Sequence, residues 1–293
     1  MINFRKQKKT IAAFLSLAVA FLFVAPGTAF AGRSSAGGGK VASFNVGKWA
    51  VGTAIGVASS IGGSYASSMI SNKPFSFDAA FDKWGDNFVG NVANGQMGRA
   101  IGSMGMYYGW NPKATILVSS VVRSSVMQGI DADSFAAAGM GAVRGLASGA
   151  VMAAMANKKG EVPPYAGFLG GMAGNLVGGM AATGGDMNAA FSNMVKSIPS
   201  GLISMGIGYA TKKMQKEDSY IVEQASLGLY EIAGAGFDPA FKGMDKALGV
   251  SQQSLENIAK YTGGYDINRF GAGGAVGQPS YNFKQDVPRP NKP

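Results

Sequence analysis

The chain contains no cysteine and no histidine. Without cysteine there is no disulfide framework, no thiolate metal site and no cysteine nucleophile. Without histidine the usual general base, the Ser-His-Asp arrangement and the commonest metal ligand are also missing. Charge is scarce as well. Asp, Glu, Lys and Arg make up 14% of the 293 residues, against about 25% in an average soluble domain. Runs of alternating β-branched residues are few, so long sheets are not expected. These absences leave little for catalysis, and no catalytic residue, cofactor or metal is implied.

The first residues read as an export signal. Arg5, Lys6, Lys8 and Lys9 form a basic start, Ile11 to Ala25 an apolar run, and Ala29-Phe30-Ala31 an A-x-A cleavage site. The apolar run is shorter than the roughly 20 residues a membrane span needs. Cleavage after Ala31 leaves 262 residues and lowers the net charge from +10 to +6. The expected location is therefore periplasmic, cell-envelope or extracellular. The remaining charge is mild and forms no basic stripe, so nucleic acid is not an expected partner.

What the chain has in quantity is glycine, at 45 positions, together with alanine, serine and methionine. Charge-poor stretches of 15 to 25 residues alternate with polar, Pro or Gly punctuation. After a flexible leader (32–45), helices are expected over Trp49–Ile70, Phe77–Gly109, Lys113–Gly129, Ser134–Asn157, Tyr165–Gly185 and Met187–Met214, with Pro199 breaking the last. Similar openings recur at Asp78, Asp133 and Asp186, spaced 55 and 53 residues apart, each Asp placed as a helix N-cap. The expected fold is all-α: about three Gly/Ala-rich antiparallel helical hairpins over 46–216, then a small helical cap over 217–263. In that cap Asp238 and Ser251 are expected N-caps and Pro239 opens a helix. A Gly/Pro-rich tail, 264–293, reads as disordered.

Glycine recurs at helical spacing. Gly52 and Gly56, Gly98 and Gly102, Gly141, Gly145 and Gly149, and Gly170, Gly174 and Gly178 each lie four apart, hence on one helix face. Such a stripe is a groove that lets another backbone approach. Each interior glycine costs about 1 kcal/mol of helix stability relative to alanine, so close packing must offset it. On the two GxxxGxxxG runs the chain resembles glycine-zipper segments, which occur in membrane-active, pore-forming and envelope proteins. A fainter likeness, of texture only, is to the Gly/Ala-rich helical regions preceding toxin domains in large secreted polymorphic toxins.

Other candidate sites read as structural. Asp82 and Asp86 share a helix face near Lys83 and read as a solvated face, since a glycosidase-like pair would need a cleft as well. Asp131 to Asp133 lacks the rest of a calcium loop. Gly271–Gly277 has Val276 where a dinucleotide loop needs glycine. Ser192 and Lys196 are one helical turn apart without further catalytic context. Arg99, Arg123 and Arg144 are isolated charges in apolar helices. The leading expectation is a soluble, exported, non-enzymatic scaffold that binds a protein partner or its own copies through Gly/Ala faces, with no small-molecule substrate evident. The alternative is a membrane-inserting protein, with Trp49–Ile70 and Tyr165–Gly185 long enough to span.

Overall fold

The computed structural model describes residues 46–262 apart from 133, 159, 213 and 215. The export signal with Ala29 and Ala31, the leader, Asp133, the tail and the Gly271–Gly277 run lie outside the described residues. Among those described, the protein is all-α. The helices are α1 (Val46–Ile70), α2 (Phe77–Tyr107), α3 (Pro112–Ala132), α4 (Phe135–Met155), α5 (Pro164–Thr183), α6 (Met187–Lys196), α7 (Ile198–Thr211), α8 (Lys216–Ala225), α9 (Leu227–Ala247) and α10 (Gln252–Thr262).

Short polar side chains start several of these helices. Ser76 accepts from the Ala79 N–H (3.3 Å), so α2 is capped by this serine, with Asp78 in its first turn. Asn111 accepts from the Lys113 N–H (2.9 Å) ahead of Pro112. Ser134 caps α4, accepting from Ala137. Asp186 caps α6 at 3.0 Å from the Ala189 N–H, and Ser251 caps α10 at 3.1 Å from the Ser254 N–H. These contacts satisfy first-turn amides that have no partner within the helix. Gly184 (φ +68°) and Gly249 (φ +65°) end α5 and α9 in the left-handed conformation that glycine reaches without strain. The break between α6 and α7 falls at Ser197, two residues before Pro199.

One expected boundary moves. Asp238 caps nothing, because α9 begins at Leu227 and runs through Pro239. The chain breaks earlier, at Ser226, and Asp238 instead pairs with Lys242 one turn on, at 2.6 Å. Pro239 is exposed, and its missing N–H leaves the carbonyl of the buried Ala235 without its usual helical donor.

Glycine sets which helices meet. On α4, Gly141, Gly145 and Gly149 face Ser124, Ser120 and Leu117 of α3. On α5, Gly170 faces Ser148 and Met152 of α4, while Gly174 and Gly178 face Arg144. One series of numbers rises as the other falls, so α3, α4 and α5 run antiparallel in turn. Gly179 meets Ala190 of α6, and α7 follows antiparallel to α5, with Gly201 on Phe168 and Gly208 on Pro164. Gly98 and Gly102 are buried in α2, which packs on α3, and Gly105 of α2 meets Thr115.

The two N-terminal stripe residues find a distant partner. Gly52 lies under Tyr220 and Ile221, Gly56 under Gln224, and Gly63 against Gly228, so α1 runs parallel to α8 and the start of α9. Lys48 joins Asp218 at 2.7 Å, Thr53 shares a hydrogen bond with the Tyr220 hydroxyl at 2.9 Å, and Trp49 stacks on the Tyr220 ring. Finally, α10 packs on α3, α4 and α5, and its Ile258 is fully buried.

A methyl group on Gly145 would stand 2.8 Å from the Val121 Cα, whereas one on Gly139 of the same helix would meet nothing within 4 Å. Gly145→Ala should therefore destabilise the protein by about 1–3 kcal/mol through overpacking. Gly139→Ala should stabilise it by about 0.5–1 kcal/mol through helix propensity. Thermal unfolding followed by circular dichroism in mild detergent checks both, and equal effects would contradict the close approach.

Candidate functional site

Among the described residues the interior mixes small apolar with polar side chains, and many large apolar side chains are exposed. Buried apolar side chains are mostly alanine, namely Ala80, Ala137, Ala156, Ala166, Ala182, Ala189, Ala190 and Ala235. A small cluster of Ile116, Met152 and Ala156 supplies the larger core contacts. Buried beside them are serines, amides and charges: Ser60, Ser120, Arg123, Asn175, Lys196, Glu231 and Asp245 among others. Large apolar residues face out instead, including Val51, Met69, Phe81, Val143, Leu146, Leu202, Leu229 and Phe237.

The polar groups form connected contacts between helices. The densest lies where α6 meets α9. Ser192 and Lys196, one turn apart on α6, both donate to the Asp245 carboxylate, Ser192 to Oδ1 and Lys196 to Oδ2. The Ser254 hydroxyl donates to Asp186 Oδ2 at 2.6 Å, and Asn188 donates to the Leu248 carbonyl at 2.9 Å. Asn193 donates to the Asn175 carbonyl of α5 at 2.9 Å. The bond from Ser254, joined by the Ala189 amide, holds the Asp186 carboxyl below its ordinary range. Burial pulls the Lys196 ammonium down, opposed by Asp245. Ser192, Lys196 and Asp245 thus form one buried hydrogen-bonded cluster that ties α6 to α9. Ser192 and Lys196 were visible in the sequence as neighbours on one face. Asp245 was not, because it lies 49 residues beyond Lys196 and only the tertiary fold brings it near.

A second polar seam joins α1 and α2 to the C-terminal helices. Lys83 pairs with the buried Glu231 at 2.8 Å, so this lysine serves α9 rather than a solvated face with Asp82. The Ser59 hydroxyl donates to the Ala225 carbonyl at 2.6 Å and accepts the Gly228 N–H at 3.0 Å. Ser204 and the Tyr230 hydroxyl share a hydrogen bond of 2.8 Å. Burial pushes the Tyr230 phenol up to about 12 and the nearby Glu223 carboxyl up to about 8.

Two of the isolated arginines, Arg123 and Arg144, are accommodated by the helices around them. Arg123 is buried and donates through Nε to Asn94 of α2 at 2.5 Å. The aliphatic stem of Arg144 lies along Gly174 and Gly178, which supply the groove it occupies. Among the described residues, no group of three or more acidic side chains converges as a metal site would require. The glycines expected to form interaction grooves are already filled: Gly52, Gly56, Gly141, Gly145, Gly149, Gly170, Gly174 and Gly178 all face other helices of the same chain. The chain matches no protein-family model, no curated protein and no solved structure.

Two measurements test this interior. Lys196→Met leaves Asp245 buried without its counter-ion and should cost about 3–5 kcal/mol in urea unfolding, with most of that recovered when Asp245→Leu is added. Glu223 gives a pH signature. Its folded value, about 8, is above the unfolded 4.5, so its stabilising contribution is complete below pH 4.5 and is lost as pH rises through 8. Glu223→Gln should flatten this decline, leaving the variant more stable than the parent above pH 8. Thermal melts at pH 5 and pH 9 measure the difference.

Proposed function

We propose that the chain is an exported, non-enzymatic helical scaffold of the cell envelope or extracellular space. It is built as an array of about three Gly/Ala-rich antiparallel hairpins closed by a small helical cap. The observation that supports this reading most is the distribution of side chains. Many polar groups inside are tied up in contacts between helices, as with Ser192, Lys196 and Asp245. Outside, apolar side chains such as Val143, Leu146, Leu169 and Leu202 stand uncovered. Exposed apolar area on this scale marks a surface meant to be covered.

The structure refines how such a scaffold would work. The glycine stripes hold the molecule together, and assembly falls to the bulky residues on the opposite faces. Alanine and glycine let neighbouring helices sit close, and methionine lends the outer surface adaptability. Association through those faces buries apolar area at about 25 cal/mol per Å².

The test is fractionation of the exporting cell followed by light scattering. The chain should stay with the envelope fraction and run in mild detergent as an assembly larger than one chain. Replacing Leu202 and Leu229, exposed leucines outside α3, α4 and α5, with Glu should weaken that assembly without loss of helix content. A freely soluble single chain, monodisperse in buffer without detergent, would overturn the reading.

A further inference from the structure

The outward faces of α3, α4 and α5 share a feature that identifies what covers them. The three helices are 21, 21 and 20 residues long. At 1.5 Å per residue each is about 30 Å, the thickness of a bilayer's hydrocarbon core. Between Lys113 and Asp131 of α3, and throughout α4 and α5, the charges are Arg123 and Arg144; Asp131 itself stands in the last turn of α3, one residue from its end. Both arginines turn inward, Arg123 onto Asn94 and Arg144 along the glycines of α5.

The α4 face opposite Gly141, Gly145 and Gly149 carries Phe135, Gly139, Val143, Leu146, Ala150 and Ala154, all exposed. Among the described residues, α4 is the helix both long and apolar enough to cross a membrane, and only 28% of that stretch is buried. The core helix of a water-soluble protein would be mostly covered. Neither α1 nor α5, the two segments expected from length, meets the same test.

The ends differ from the middle. Because the helices alternate in direction, the start of α3, the end of α4 and the start of α5 lie together. Tyr107, Tyr108, Trp110 and Tyr165 are exposed at that end, beside Lys113, Lys158 and Glu161. Tyrosine and tryptophan next to lysine, bordering an uncharged band of this height, are the side chains that settle at a membrane–water boundary. A second copy would fit this face less well. Close helix pairing uses small-residue grooves, and those of α4 and α5 are filled from within.

We infer that the α3–α4–α5 face is covered by lipid acyl chains, with Leu146 near mid-depth and Trp110, Tyr107, Tyr108 and Tyr165 at one headgroup boundary. This rests on the scaffold reading above and names the partner of one of its faces. The absence of cysteine makes the test clean. Single variants Leu146→Cys, Ala150→Cys and Lys158→Cys of the full chain are labelled with an environment-sensitive fluorophore. They are reconstituted in phosphatidylcholine/phosphatidylglycerol vesicles, helix content being checked for each.

The Leu146 and Ala150 probes should lose more than half their emission to lipids brominated deep in the acyl chain and be shielded several-fold from aqueous iodide. The Lys158 probe should show the reverse. Iodide access at Leu146 equal to that at Lys158 would overturn the inference. So would a shielded Leu146 that brominated lipid leaves bright and that forms a Leu146→Cys to Leu146→Cys disulfide between chains, since a copy then covers the face. In either case envelope retention and assembly in detergent would persist if the scaffold reading holds. Their loss as well would mark the failure of that reading.

Discussion

At Gly145 a methyl group would stand 2.8 Å from the Cα of Val121 and 2.9 Å from the carbonyl carbon of Ser120, so the α3 and α4 backbones meet with no side chain between them. The same is true where Gly63 and Gly228 join α1 to α9. Helices this close gain dispersion contacts along their length, which is what offsets the roughly 1 kcal/mol that each interior glycine costs. The approach also determines everything else about the interior. Between backbones in contact there is room for glycine, alanine and serine and for little that is larger.

That limit reverses the usual distribution of residues. Few bulky apolar side chains fit where the backbones meet, and Val143 and Leu146 stand outside, away from Gly145. The interior therefore gains modestly from apolar burial and relies on paired polar groups. Hydrogen bonds such as Ser204 to Tyr230 and the Lys196–Asp245 pair are specific in position, and a buried ion pair left without one member is heavily penalised. Such contacts fix which helix sits beside which, a task that a uniform Gly/Ala surface performs poorly because one small residue resembles the next.

How much of this could be read from the sequence follows from the range of each interaction. Helix positions were legible because their signals are local: Asp186 and Ser251 cap as expected, and Pro199 follows a break. The stripes on α4 and α5 were legible because a spacing of four repeats within one helix. Their partners were legible only where the next helix in the chain supplied them. Gly52 and Gly56 pack on Tyr220 and Gln224, nearly 170 residues away, and no local pattern announces that. Asp238 misled for a related reason. An Asp-Pro pair is a strong local start signal, yet α9 is already fixed from Gly228 onward by its contact with Ser59 and Gly63, and it carries through the proline. Local preference gave way to tertiary contact where the two disagreed.

Arg144 brings these threads together. A lone arginine in an apolar helix is costly at the centre of a bilayer, by about 2.5–3.5 kcal/mol on insertion scales. Such a cost opposes an apolar environment around α4. In the folded protein, the absence of side chains at Gly174 and Gly178 leaves a channel in α5, and the arginine stem lies in it, against Cβ positions 3.3 to 3.6 Å away at Gly178. The glycines thus do two things at once. They bring α4 and α5 together, and they take the one charge of α4 off its outer surface. A residue that by itself opposes an apolar environment becomes, through its neighbours' lack of side chains, the reason the outer face of α4 can be wholly apolar.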